Sequence, residues 1–200
     1  MKIFKKVMAA VIAVAAMSGL TSCNYNSLVE KEQKVNQSWA QVENQYQRRA
    51  DLIPNLVNTV KGYSAHESST LQGVTDARAG LTKAYNEANA FSSQSAQADI
   101  AAYQQAQSNL KGALDIYVNA VREAYPDLKA NENFLNLQAQ LEGTENRVST
   151  ERQRYNEAVE AYNKKVLRFP GRIFASIFGF DKKEMFKADE GARQAPKVEF

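Results

Sequence analysis

The feature that most constrains the fold is a strict seven-residue repeat of apolar residues in the C-terminal half. Its members are all aliphatic or aromatic: Phe134, Leu141, Val148, Tyr155, Tyr162 and Phe169. Positions seven apart return to one face of an α-helix, so the repeat predicts a long helix with a buried seam. Pro170 and Gly171 follow directly and predict its end. Because such a seam needs partner helices, we expect an all-α fold.

Three further helices are predicted before this one. The first is expected over about residues 25–50, where Leu28 and Val35 begin another seven-residue repeat. The second is expected over about 52–90 and the third up to about residue 125. The expected buried stripe of the third helix is Ile100, Tyr103, Leu110, Leu114, Tyr117 and Val121. Short connections favour antiparallel neighbours, so we predict an up-down-up-down bundle of four long helices.

The junction of the first two helices admits two interpretations. Asp51 is a preferred helix cap, and Pro54 suits a first helical turn, which together favour a sharp corner. The alternative is one long helix that is kinked at Pro54.

The N-terminus has the organisation of a lipoprotein signal peptide. Three lysines within the first six residues precede an apolar run over residues 7–17, which is too short to span a bilayer. The string Leu20-Thr21-Ser22-Cys23 resembles the bacterial lipobox, in which the chain is cut before the cysteine and the cysteine is acylated. Cys23 is the only cysteine. The alternative, an ordinary signal peptide, would leave a free thiol on an exported protein. We therefore predict a signal peptide over 1–22 and lipidation of Cys23.

Removal of this peptide leaves a chain without net charge. The sequence has 25 Lys+Arg and 22 Asp+Glu, and the signal peptide takes away three lysines and no acid. A neutral chain is not expected to bind nucleic acid or to adhere electrostatically to anionic lipid. The remaining length suits one bundle over 23–180, followed by a polar, extended tail over 181–200.

The residue inventory gives no support to catalysis. His66 is the only histidine, so zinc sites of Cys and His, and di-metal sites with paired Glu-x-x-His motifs, are not expected. The sequence has neither a nucleophile-elbow motif nor a glycine-rich phosphate loop. We expect no catalytic residue, metal, cofactor or small-molecule substrate.

Two groups of polar residues are candidates for structural or binding roles. A buried polar layer that sets helix register is predicted at His66, Glu145 and Arg152. A partner-binding surface is predicted at the end of the bundle away from the anchor, at Arg48, Arg49, Asp51, Asn55 and Asp127. In the structural alternative, Arg48 and Arg49 offset helix dipoles and pair with Glu123, Asp127 or Glu132.

An apolar segment follows the last helix, close to the anchor. Its members are Ile173, Phe174, Ile177, Phe178 and Phe180. The segment is too short to span a membrane but could lie in the membrane interface. We expect instead that it folds back over the open end of the bundle, because an exposed apolar cluster favours aggregation.

Several strings resemble those of the LemA family. The first is Gln47-Arg48-Arg49-Ala50-Asp51-Leu52-Ile53-Pro54-Asn55-Leu56-Val57. Others are Tyr125-Pro126-Asp127-Leu128, Gly143-Thr144-Glu145-Asn146-Arg147 and Phe169-Pro170-Gly171. The resemblance covers nearly the whole mature chain and implies an antiparallel four-helix bundle on a membrane anchor. It implies no established activity. Family members are usually described with an N-terminal transmembrane helix, from which the lipobox of this chain departs.

The expected function is that of a non-catalytic scaffold or adaptor on the exported side of the bacterial cell envelope. Its expected partners are the membrane, through the acyl anchor, and unidentified envelope proteins. Asn24 stands where enterobacteria use an aspartate for inner-membrane retention, which favours the outer membrane. The alternative is a lipid-active structural protein that assembles on or bends the membrane. An uncharacterised enzyme is the third possibility.

Replacement of the lipobox cysteine tests the predicted anchor. Cys23→Ala is expected to leave an uncleaved or soluble protein, because the acceptor of the acyl chains is gone. The measurement is the intact mass of the protein purified from cells. A mature wild-type protein without any acyl mass would contradict the prediction.

Overall fold

The computed structural model describes residues 2–64 and 72–187, apart from the side chains of residues 2–7, 9–24 and 64. Over this part the chain is all-α and contains no strand, which confirms the expected class. Its helices are α1 Lys2–Ser64, α2 Gln72–Asn89, α3 Ser93–Ala98, α4 Ile100–Ala124, α5 Glu132–Leu167 and α6 Gly171–Phe178. A 3₁₀ turn, Pro126–Ala130, connects α4 to α5.

The expected corner at Pro54 is wrong, because α1 continues through it as one helix. A proline inside a helix costs about 3 kcal/mol. Its neighbours Ile53 and Leu56 are both buried, and full burial of each side chain contributes about 1.5–3 kcal/mol. Burial of the apolar face on both sides of Pro54 therefore offsets the lost backbone hydrogen bond.

The predicted second helix over about 52–90 corresponds to parts of two helices in the structure. Its first part belongs to α1, which ends at Ser64, and its second part is α2, which begins at Gln72. Residues 65–71, among them His66, lie outside the described residues.

The chain packs into two compact units. The terminal unit comprises residues 1–40 and 153–184, and the central unit comprises residues 41–152 and 185–200. Helices α1 and α5 each contribute to both units, because the unit boundaries fall within them.

The core of the central unit draws apolar side chains from four helices. Helix α2 packs against α4. The most deeply buried members of the cluster are Leu56, Val60, Leu81, Ala88, Leu110, Tyr117, Val121, Tyr125, Leu128 and Phe134. Burial in this core raises the pKa of Tyr117 to about 12.

The core of the terminal unit lies between α1 and α5. Leu28 and Val35 of α1 and Tyr155 and Tyr162 of α5 are fully buried. The rings of Trp39 and Tyr155 meet edge to face with their centroids 5.4 Å apart. The seven-residue repeats therefore predicted the buried faces of both helices.

The last member of the α5 repeat departs from the prediction. Phe169 is 84 % exposed, whereas the other five members are buried. Helix α5 ends at Leu167, so Phe169 no longer has the helical geometry that would return it to the seam.

Truncation of Leu141 tests the seam. Leu141→Ala should lower the free energy of unfolding by about 2–5 kcal/mol, because this side chain is buried in the central core. Leu135→Ala, at an exposed position of the same helix, is the matched control and should change it by no more than about 0.5 kcal/mol. Equal effects of the two substitutions in denaturant titrations would contradict the assigned seam.

Candidate functional site

A buried arginine links three helices inside the central unit. Arg49 of α1 is 3 % exposed. Its Nη1 donates to Oε2 of Glu145 on α5 at 2.9 Å. Its Nη2 donates to the main-chain oxygen of Gln107 on α4 at 3.2 Å, and also to Oε1 of Gln107. One guanidinium group thus connects α1, α4 and α5.

The partners of Arg49 occupy inward positions of their helices. Gln107 lies between Tyr103 and Leu110 in the apolar stripe of α4 and is buried like them. The guanidinium carbon of Arg49 lies 5.1 Å from the ring centroid of Tyr46. Burial, reinforced by Tyr46 and Glu43, raises the pKa of Tyr103. On one side, therefore, the guanidinium group of Arg49 lies against the aromatic ring of Tyr46.

A groove of about 510 Å³ with both charged and aliphatic lining residues lies beside this pair, between α4 and α5. Its charged lining consists of Arg49, Lys111, Asp115, Arg122, Glu142 and Glu145. Lys111 Nζ donates to Asp115 Oδ2 at 3.0 Å, and this hydrogen bond raises the pKa of Lys111. Arg122 Nη2 donates to Gln138 Oε1 at 2.8 Å. The groove therefore presents fixed charges of both signs.

Two buried donors in the lining have no acceptor. Within the part of the chain that the structure describes, Nε of Arg49 and Nε2 of Gln138 lack hydrogen-bond partners, although both residues line the groove. A buried polar group without a partner costs about 1–3 kcal/mol.

The residues that line the groove are polar, charged or aliphatic. Its side chains supply ion pairs and hydrogen bonds, and no serine, cysteine or histidine lines it. Among the described residues, no three His, Cys, Asp or Glu side chains are grouped so that they could hold a metal ion.

The predicted partner surface is changed by the burial of Arg49. Arg48, Asp51, Asn55 and Asp127 are exposed, as a binding surface requires, but Arg49 is not. Arg49 also pairs with Glu145 rather than with the acids Glu123, Asp127 and Glu132 that the structural alternative named. Arg49 is therefore removed from the candidate surface.

The predicted polar layer is placed differently by the structure. Glu145 pairs with Arg49 but is 36 % exposed at its side chain. Arg152 is also partly exposed, and its Nη2 donates to the main-chain oxygen of Lys187 at 3.0 Å. Glu145 and Arg152 are therefore only partly buried, and of the two Glu145 joins the ion pair of the buried Arg49. His66, its third member, lies outside the described residues.

The segment after α6 is held by side-chain amides. In the terminal unit, Asn163 Nδ2 donates to the main-chain oxygen of Lys183 at 2.9 Å, and Lys183 N donates to Asn163 Oδ1 at 3.0 Å. The hydroxyl group of Tyr155 donates to the main-chain oxygen of Glu184 at 3.2 Å, and Lys183 pairs with Glu32 at 3.1 Å. The predicted extended tail is thus anchored in this unit.

The central unit holds the next residues in the same way. Lys187 N donates to Gln104 Oε1 at 3.1 Å, and Gln104 Nε2 donates to the main-chain oxygen of Lys187 at 2.9 Å. Phe186 is buried beneath the guanidinium group of Arg152, whose carbon lies 4.9 Å from the ring centroid. Residues 188–200 lie outside the described residues.

An apolar surface is exposed in the terminal unit, where folding back was expected. It consists of Leu167, Phe169, Ile173, Ile177 and Phe178. Within α6 the buried residues are Gly171 and Ala175, while Phe174 and Phe180 are partly exposed. The expectation that these aromatic residues complete the core is therefore wrong.

The close approach of α6 to the end of α5 decides which face points outward. A Cβ atom at Gly171 would lie 2.1 Å from the main-chain oxygen of Lys165, so a side chain would not fit there. Tyr25 of α1 packs against the other end of α6, with ring-centroid distances of 4.9 Å to Phe178 and 5.9 Å to Phe180. The small face of α6 is therefore turned inward, and the bulky apolar face is turned out.

The exposed apolar surface does not amount to a membrane span. In the described part of the chain, no helix has a stretch that is both long and apolar enough to cross a bilayer. Cys23, the predicted lipidation site, lies on α1 two residues before Tyr25, and its side chain lies outside the description.

Replacement of Glu145 and replacement of Arg49 should lower the free energy of unfolding by different amounts. Glu145→Leu should lower the free energy of unfolding by about 3–5 kcal/mol, because it leaves the buried Arg49 without its counter-charge. Arg49→Leu should cost less, since the partly exposed Glu145 remains hydrated. The double replacement should recover most of the loss.

The control for this cycle is the exposed pair Lys83 and Glu87 on α2. Glu87→Leu should change stability by less than about 1 kcal/mol, because exposed pairs contribute little. Additive effects of Glu145→Leu and Arg49→Leu in the double variant would contradict a coupled buried pair.

Comparison with known proteins places the chain in a family. The model of the LemA family matches residues 38–200. The chain is 26 % identical to each of the magnetosome proteins MamQ 1 and MamQ 2 of Paramagnetospirillum magneticum, over 88 % of this chain and 70 % of theirs. It is 21 % identical to protein LemA of Metamycoplasma hominis, over 82 % of this chain and 69 % of that protein. The family match covers the central unit and residues 38–40 and 153–184 of the terminal unit, and the chain belongs to the LemA family.

Proposed function

We propose that this protein is a lipid-anchored, non-catalytic scaffold or adaptor for other proteins of the bacterial cell envelope. In this proposal residues 1–22 are a signal peptide and acylated Cys23 holds the mature chain on the exported side of a membrane, with the outer membrane favoured. The helices of the mature chain form an antiparallel four-helix bundle. Two relatives of this chain are magnetosome proteins. These relatives support the association of this chain with a membrane, which is one part of the proposal.

The observation that carries the proposal is the exposed apolar surface of the terminal unit. Ile177 is 67 % exposed and has Phe169, Ile173 and Phe178 as exposed apolar companions. Basic residues Arg168 and Arg172 lie among them and are also exposed. An apolar face flanked by cations is typical of a segment that lies in the membrane interface. Tyr25 packs on Phe178 of this surface and lies two residues after Cys23, the predicted site of acylation.

The binding role rests on the central unit. Exposed polar residues of α1 and of the 3₁₀ turn remain available to a partner: Arg48, Asp51, Asn55 and Asp127. Both segments are held in place by a buried neighbour of the exposed residues. Leu56 of α1 and Leu128 of the 3₁₀ turn belong to one apolar cluster. A charged surface on a rigid support suits recognition of another protein.

A second candidate function is supported by the same apolar surface. A lipid-active structural protein would use it to assemble on the membrane or to bend it. Both functions require insertion of the apolar surface into the interface, but the second also requires a change in membrane shape.

Vesicle binding by the chain without its anchor tests the proposal. Residues 24–200, produced without the signal peptide, contain no cysteine and therefore no acyl chain. We expect them to co-sediment with vesicles of phosphatidylethanolamine and phosphatidylglycerol. Ile177→Asp should weaken binding about tenfold or more, because burial of an isoleucine contributes about 1.5–3 kcal/mol.

The matched control is Ile116→Asp on α4. Ile116 is 64 % exposed but belongs to the central unit, so its replacement should leave vesicle binding unchanged. Equal loss in both variants, or no binding by the wild-type chain, would count against the apolar surface as a membrane contact. Tubulation of the vesicles in electron micrographs would favour the second candidate function.

A further inference from the structure

The chain around α6 carries cations but no acid. Residues 161–180 include the last turns of α5, all of α6 and the connection between the two helices. This stretch contains Lys164, Lys165, Arg168 and Arg172 and neither Asp nor Glu. The mature chain, which is expected to be neutral as a whole, therefore has a local excess of positive charge at the exposed apolar surface.

Two of these cations have no counter-charge in the part of the chain that the structure describes. Lys164 pairs with Glu160, one turn earlier on α5. Arg168 and Arg172 are exposed, and no carboxylate group of a described residue forms an ion pair with either of them. Their guanidinium groups are therefore available to an anion from outside the terminal unit.

The main chain holds these two arginines one turn apart among the apolar residues. The main-chain nitrogen of Arg172 donates to the main-chain oxygen of Arg168 at 2.8 Å. A bond to the carbonyl group four residues earlier has the spacing of one α-helical turn, so the two side chains start from neighbouring positions. Leu167 and Phe169 flank Arg168, Ile173 follows Arg172, and all three are exposed. Cations and apolar side chains therefore alternate along one exposed stretch.

We propose that the apolar surface of the terminal unit binds a bilayer of anionic phospholipid. The headgroup phosphates lie against Arg168 and Arg172, and the acyl chains below them surround Ile173 and Ile177. Guanidinium groups form charge-assisted hydrogen bonds with phosphate oxygens. An apolar helix face with cations beside it binds more strongly when the lipid is anionic. A negative layer directly above an apolar layer thus complements both kinds of side chain.

Other occupants complement only part of this surface. A second copy of the chain, related by a two-fold axis, would bring Arg168 and Arg172 of both copies together. Like charges that face each other across an interface are unfavourable. A soluble anion would pair with the guanidinium groups but would leave Ile177 67 % exposed to water. Only the bilayer covers the apolar residues and the cations at once.

This inference deepens the proposed function and rests on it, because it names the class of lipid that the apolar surface enters. Vesicle binding without a preference for anionic lipid would overturn the inference and leave the proposed membrane contact intact. Absence of binding to any vesicle would contradict both.

Partitioning of residues 24–200 into vesicles of defined charge tests the inference. This chain lacks the acyl anchor and keeps the side chains that the structure describes from Tyr25 onward. Vesicles of phosphatidylcholine alone are compared with vesicles to which phosphatidylglycerol is added. We expect partitioning to be about tenfold or more stronger into the anionic vesicles, because each cation near an anionic surface contributes about fivefold. High salt should remove most of this difference.

Replacement of the two arginines identifies the source of the preference. Arg168→Gln combined with Arg172→Gln should lower partitioning into anionic vesicles by about tenfold or more. Partitioning into neutral vesicles should not change, because the apolar residues remain, and this also verifies that the variant is folded. The matched control, Arg78→Gln with Arg147→Gln, removes two exposed arginines of the central unit and should leave both values unchanged.

A charge-retaining variant completes the test. Arg168→Lys combined with Arg172→Lys should keep the preference for anionic vesicles, because both positive charges remain. Equal partitioning of the wild-type chain into the two kinds of vesicle would overturn the proposal, as would equal losses from the two pairs of Gln substitutions. Dimerisation of the wild-type chain without lipid, abolished by Ile177→Asp in sedimentation velocity, would also overturn it, because a second copy would then cover the surface.

Discussion

The central unit depends on how it accommodates one buried positive charge. Removal of the Arg49 guanidinium group from water is costly, and it is offset only if the charge and the hydrogen bonds find partners. Glu145 supplies the charge, and Gln107 supplies two acceptors. Because these partners lie on different helices, α1, α4 and α5 are held in one relative register. Slippage of any of these helices by a turn would leave a buried charge unpaired, whereas apolar contacts alone would tolerate it.

The apolar repeats predicted much of this arrangement. The seven-residue period alone predicts the burial of Leu28, Val35, Tyr155 and Tyr162, since residues seven apart lie on one face of a helix. Gln107 was not singled out, although its position between Tyr103 and Leu110 in the stripe of α4 was the available signal. A polar residue at an inward position requires a buried partner. The predicted corner at Pro54 was wrong. The cap and first-turn preferences of Asp51 and Pro54 reflect only their neighbours in sequence, whereas the burial of Ile53 and Leu56 depends on the rest of the fold.

Other features could not be predicted from period or composition. Residues 183–187 are held by side-chain amides that form hydrogen bonds to main-chain atoms. No sequence pattern around Asn163 or Gln104 indicates this role. The outward face of α6 depends on the tight contact of Gly171 with the end of α5. The expectation of folding back rested on the aggregation risk of an exposed apolar cluster. In the proposed membrane contact, the exposed Ile177 and Phe178 enter an apolar environment instead.

The central unit contains the buried ion pair, and the terminal unit presents the apolar surface that Tyr25 contacts. The central proposal is that this surface enters the membrane. An environment-sensitive fluorophore on Ile177→Cys, in acylated protein reconstituted into vesicles, tests it most directly, since acylation leaves Cys23 without a free thiol. The account predicts blue-shifted emission that a lipid-borne quencher suppresses, with aqueous emission from the same fluorophore on Ile116→Cys. Aqueous emission from position 177, insensitive to the lipid-borne quencher, would contradict it.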